Sequence, residues 1–193
     1  MANSWWIIAL FISATTSAAA ASYAATAEDY LYVNNACAST LYPSLCFSSL
    51  SSHADRIRRN PRNLVGVAIS VTLSSVTDAA IYMLSMRHTS GGNAEKLALS
   101  DCTKMLADAA SQMRASMKEL KALKRETLRW QLSNVQTWMS AALTNEGTCT
   151  DGFDGLDEAV GGAVSGKIGC VTEMTSNALA LANYFASQAK TQL

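Results

Sequence analysis

The stretch LALSDCTKMLADAASQMRASMKEL, residues 97–120, decides the fold. Leu99, Cys102, Leu106, Ala109, Met113, Met117 and Leu120 recur in steps of three and four, which places them on one face of a helix, with Lys104, Asp108, Arg114 and Lys118 elsewhere on its surface. The helix this predicts runs from about Asn93, as N-cap, to Leu123. Working outward, Pro61 to about Met86 carries a stripe at Val65, Ile69, Leu73, Val76, Ala80 and Met83, and Ser90-Gly91-Gly92 ends it. Thr127 to Asn145 carries Leu128, Leu132, Val135, Met139 and Ala142, and Ser165 to Ala189 carries Val171, Met174, Ala178, Leu181 and Phe185. A Gly- and Asp-rich segment holding Gly161, Gly162 and Gly166 separates these last two and reads as a linker. Four amphipathic helices on short connections predict an all-α, antiparallel four-helix bundle. The Met positions read as core, and abundant Ala lets the helices approach closely and leaves little room for an internal ligand cavity.

Upstream, Trp5 to Ile12 is an apolar run too short to span a bilayer, and Ala18 to Ala24 offers small-x-small cleavage choices. Residues 1–25 are therefore expected to be a signal peptide, although no Lys or Arg precedes the run, and cleavage is expected between Ala18 and Ala27. No later segment holds 18 uninterrupted apolar residues, so the mature protein is expected to be soluble. About 165 residues then remain, enough for one domain with a real core.

The five cysteines suit an oxidising compartment. If the second and third long helices turn near Arg125, Cys102 and Cys149 each lie about 35 Å from that turn at 1.5 Å rise per residue. They meet at one end of the bundle, and a Cys102–Cys149 bridge is expected there. Cys37 and Cys46 flank a segment in which Pro43 demands a turn and starts a short helix, so a bridge closing a small helical hairpin over residues 26–60 fits. Cys170 is left as a free thiol and reads as a buried, inert core residue.

Fifteen basic and fifteen acidic residues leave no global charge to attract nucleic acid or an acidic membrane. Locally, Arg56, Arg58, Arg59 and Arg62 form one basic cluster, and Lys118, Lys121, Lys124, Arg125 and Arg129 a second. Glu146, Asp151, Asp154, Asp157 and Glu158 form an acidic one. Each reads as solvated helix and loop ends.

Nothing here makes an enzyme. His53 and His88 are the only histidines, and neither neighbours a Gly-x-Ser-x-Gly elbow. The cysteine spacings match no zinc pattern, no phosphate-cradling Gly loop occurs, and no cofactor is implied. The chain also lacks an Asn-x-Ser/Thr sequon, so N-glycosylation is not expected.

Cys37-x-x-Thr40-x-Tyr42-Pro43-x-x-Cys46, the helical pair Asp101-Cys102, the run Val135-Gln136-Thr137-Trp138-x-Ser140-Ala141-Ala142-Leu143-Thr144, and Thr148-Cys149-x-Asp151-Gly152-Phe153 together resemble the plant invertase and pectin methylesterase inhibitor family. The resemblance covers residues 26–193 as an inhibitor domain. It implies a four-helix bundle (61–193) preceded by a helical hairpin (26–60), two disulfides and a free fifth cysteine. With no catalytic domain after Leu193, a stand-alone inhibitor secreted to the apoplast and cell wall is expected.

Two partners occur in such a family. Inhibitors of acid invertase carry Pro-Lys-Phe before the third long helix, where this chain has Lys124-Arg125-Glu126-Thr127-Leu128-Arg129-Trp130. The resemblance therefore favours a pectin methylesterase as partner, with acid invertase, or an apoplastic domain of the same fold without inhibitory activity, as alternatives. It implies Asp108, Thr148 and Asp151 as partner-binding residues. Lys104 and Ser111 stand where the family pattern has acids. The acidic run near Thr148 to Glu158 is expected to repel pectate itself and to suit an enzyme groove instead.

Overall fold

A computed structural model describes residues 24–191. The expected signal peptide falls almost wholly on residues 1–23, outside the described residues. The elements are α1 (Ala27–Cys37), α2 (Pro43–Leu50), a 3-10 turn (Ser51–His53), α3 (Ala54–Ile57), α4 (Pro61–Thr89), α5 (Asn93–Lys121), a second 3-10 turn (Arg125–Thr127), α6 (Leu128–Asp151) and α7 (Glu158–Thr191). The fold is all-α: α4 to α7 form an antiparallel ring in which each helix packs on the next and α7 closes onto α4, with the α1–α2 hairpin ahead of it.

The stripes form the core. Leu99, Leu106 and Met113 of α5 meet Val135 and Met139 of α6, Val76 and Met83 of α4 and Val164 and Ile168 of α7, all fully buried. Truncating one such side chain to Ala costs about 2–5 kcal/mol. By length and apolarity α4 could reach across a bilayer, but its buried face is shared with α5 and α7.

Local chemistry fixes the helix ends. Asn60 accepts the Asn63 N–H ahead of Pro61, the first residue of α4. Thr26 and Asp29 bond each other's backbone N–H in a capping box that starts α1. The N-cap of α5 is Gly92 rather than Asn93. The Glu95 side chain folds back into the space a Cβ at Gly92 would fill, so a residue without one suits that position.

Gln131 closes the α5–α6 connection. Its amide donates to Glu119 Oε2 and the Ala122 carbonyl, both at 2.9 Å, and its oxygen accepts from Lys124 N at 2.8 Å and Thr127 Oγ1 at 2.9 Å. Every polar valence of this buried side chain is used, which holds the turn near Arg125.

Three further expectations need correction. The third long helix continues six residues past Asn145 to Asp151, because Glu146 and Cys149 extend the inward stripe from Ala142. The fourth begins at Glu158, so Gly161, Gly162 and Gly166 are helical. Asp157 Oδ1 accepts the Ala159 and Val160 N–H groups at 3.0 Å, and burial of Val164 and Ile168 outweighs the low helix propensity of glycine. Cys170 is free but exposed, not core: it lies one residue, a step of about 100°, from buried Val171 on the side away from Ile168.

The hairpin packs on its own bundle. Asn177 of α7 accepts the Tyr42 N–H at 3.1 Å and donates to the Tyr42 carbonyl at 2.9 Å, and Cys46 and Leu50 sit beside Ala68, Thr72 and Ala178. Arg59 ties the start of α1 to the α3–α4 turn through ion pairs with Glu28 and Asp29.

Candidate partner-binding surface

Two bridges frame the molecule. Cys37 and Cys46 are joined with Cα atoms 5.5 Å apart, and Cys102 and Cys149 with Cα atoms 4.3 Å apart. The second bridge sets the register of α5 against α6. Asp108 lies six residues, about 9 Å, along α5 from it, Thr148 lies beside it on α6, and Asp151 lies about 3 Å beyond it towards the end of the bundle.

Asp108, Thr148 and Asp151 are all exposed. Asp108 and Thr148 lie on the outer sides of the α5–α6 pair, opposite buried Leu106 and Glu146. Asp151 ends α6, where the helix dipole disfavours an anion and a cationic partner would relieve it. The Thr148 hydroxyl donates to the Thr144 carbonyl at 2.9 Å, leaving its lone pairs outward. Lys104, in the acid's place, pairs with Asp101 at 2.8 Å on the same face. Ser111 is exposed one turn beyond Asp108.

The acidic cluster is not one solvated patch. Asp157 is spent on capping α7, and Asp151, Asp154 and Glu158 are exposed. Glu146 is fully buried between α6 and α7, its Oε1 2.7 Å from Thr175 Oγ1 and its Oε2 without a hydrogen-bond partner among the described residues. Burial pushes its carboxyl up to about 7, against the pull of the hydrogen bond from Thr175. Counting charges along the chain could not find this; the four-residue step from Ala142 to Glu146 could have.

His53 and His88 sit near opposite ends of the long α4 helix, and no group of three or more His, Cys, Asp or Glu among the described residues is placed to hold a metal. What the fold offers is a disulfide-registered helical surface with exposed polar groups on it.

A sequence profile described as plant invertase/pectin methylesterase inhibitor matches residues 31–181, and the chain belongs to that family. It is 38% identical over 160 residues to pectinesterase inhibitor 10 of Arabidopsis thaliana, a match covering 81% of this chain and 51% of that one, so the chain spans about half that relative's length. It is 36% identical over 187 residues to the 21 kDa protein of Daucus carota, covering 94% of this chain and 96% of that one. Its backbone matches the crystal structure of a mutant form of an Arabidopsis pectin methylesterase inhibitor with a TM-score of 0.62, at 20% identity, over 76% of this chain and 92% of that one. The family is one of inhibitors, not enzymes.

Proposed function

We propose that the protein is secreted to the cell wall and inhibits a pectin methylesterase by laying the outer face of α5 and α6 across the enzyme's pectin-binding cleft. The carrying observation is the placement of exposed Asp108 and Thr148 on adjoining helices held in register by Cys102–Cys149, with Asp151 beside the bridge. Relatives named as pectinesterase inhibitors support the choice of enzyme. A face two helices wide and roughly 36 Å long approaches the ~800 Å² per partner that a stable complex buries. Blockade of this kind asks no chemistry of the inhibitor, only a stiff surface with paired polar groups. Its polar character makes the complex weaken as salt rises or as the carboxylates are protonated.

The test is to titrate the purified mature protein against pectin methylesterases and acid invertases, beside the Asp108→Ala, Thr148→Ala, Asp151→Ala triple variant. The expected result is inhibition of a pectin methylesterase, lost or weakened in the folded variant. Unchanged inhibition in the variant would remove this surface from the reading, and inhibition of invertase alone would replace the partner.

A further inference from the structure

The two basic clusters, more than fifty residues apart in the chain, converge at the end of the bundle opposite Cys102–Cys149. Arg56 of α3, Arg62 in the first turn of α4 and Lys121 at the end of α5 line a groove of about 240 Å³ whose floor is apolar: Val67, Met117 and Leu120. Among the described residues, no carboxylate and no aromatic side chain lines it. Gly66 adds width to the floor, for a Cβ there would meet nothing within 4 Å. The first turn of α4 and the last turn of α5 both reach this place, so their dipoles offset and the positive charge comes from the side chains. Lys118, Lys124 and Arg125, all exposed, extend the positive charge beyond the groove. Arg59 is engaged by Glu28 and Asp29 and stands outside this group.

The geometry points to a second binding site here, for a polymer of sugar carboxylates: the de-esterified pectic chain that a methylesterase leaves behind. Cations on the walls answer repeated carboxylates, and the aliphatic floor answers the C–H faces of pyranose rings. A single-stranded nucleic acid, the other common polyanion, is held by aromatic stacking platforms, which this groove lacks. The acidic residues expected to repel pectate do not oppose this, because Asp151, Asp154 and Glu158 lie at the far end; Lys121 is about 28 Å along α5 from Cys102. The groove is lined from α3, α4 and α5, off the α5–α6 face proposed for the enzyme, so one molecule can hold both. The choice of polyuronate rests on the proposed function, but binding is measured without enzyme, so the two readings fail separately.

The full mature protein is sedimented with insoluble polygalacturonate, with its fully methyl-esterified counterpart and with immobilised heparin, near neutral pH and at low and high salt. The expected result is retention on polygalacturonate that falls with salt, and none on the ester. The Arg56→Gln, Arg62→Gln, Lys121→Gln variant weakens retention by about tenfold or more, with inhibition of the methylesterase unchanged. A variant carrying the same charge loss elsewhere, Arg87→Gln, Lys96→Gln, Lys167→Gln, keeps its retention. The proposal is overturned if the wild type is not retained, if the two triple variants lose retention equally, or if heparin holds the protein as tightly as polygalacturonate.

Discussion

Thr175 Oγ1 lies 2.7 Å from Glu146 Oε1 and 3.0 Å from the Val171 carbonyl, in the closed interior between α6 and α7. The one hydrogen of the Thr175 hydroxyl is divided between Glu146 Oε1 and the Val171 carbonyl, and Glu146 Oε2 has no hydrogen-bond partner among the described residues. Burial with so little hydrogen-bond compensation favours the neutral acid. With its folded value near 7 and its ordinary value at 4.5, the unfolded chain releases this proton first. The contribution of Glu146 is fully present below about pH 4.5 and is lost as pH rises through about 7, a fall of up to about 3 kcal/mol. Denaturant titrations across this range are expected to show the fall in the wild type and its removal in Glu146→Gln. Parallel curves would refute a titrating Glu146.

Asn177 is the polar latch of the N-terminal hairpin. Asn177→Ala leaves the Tyr42 N–H and carbonyl without their partner and costs about 1–3 kcal/mol. Hydrogen exchange should rise across residues 27–50 more than across α5 and α6; a uniform rise would show that the hairpin is not separately held.

The Cys102–Cys149 bridge closes a span of 47 residues. Removing it as Cys102→Ala, Cys149→Ala is expected to lower stability by about 4 kcal/mol by the chain-entropy relation, and to weaken inhibition by loosening the register of Asp108 against Thr148. Thermal and denaturant unfolding measure the first effect, enzyme titration the second. Full inhibition by a folded double variant would contradict the role given to register.

Lys104 occupies the face assigned to the enzyme. The exposed pair with Asp101 is worth little, so Lys104→Glu should leave stability within about 0.5 kcal/mol. Its inhibition of a pectin methylesterase is expected to strengthen several-fold, most clearly at low ionic strength. A weaker inhibitor would mean that the facing enzyme surface is not cationic at that point.

Cys170 should react with a thiol reagent in the native protein, since its side chain is exposed, and Cys170→Ser should be neutral within about 0.5 kcal/mol. Reaction only after denaturation would return the residue to the interior.

Much of the fold is written locally. The stripes through Leu106, Val76 and Met139 follow from helical periodicity, and Pro43, Pro61 and Asn60 act on the residues beside them. Even the meeting of Cys102 with Cys149 follows from equal helix lengths measured from one turn. The family pattern likewise pointed to Asp108, Thr148 and Asp151, whose exposure then needed only a helix phase. Where local rules compete with burial they misled: the glycines around Gly162 suggested a linker, yet Asp157 and the burial of Val164 and Ile168 make a helix of it.

What the sequence determined by itself is the set of helices, their inward faces and the order in which they return on one another, because these depend on neighbours within a turn or two. Only the tertiary structure decided that Glu146 leaves the acidic cluster for the core, that Cys170 leaves the core for solvent, that Asn177 receives Tyr42, and that Arg62 meets Lys121 across a groove. Those facts depend on the rotation and closest approach of whole helices. Packing fixes both at once across the bundle, and no short stretch of chain records them.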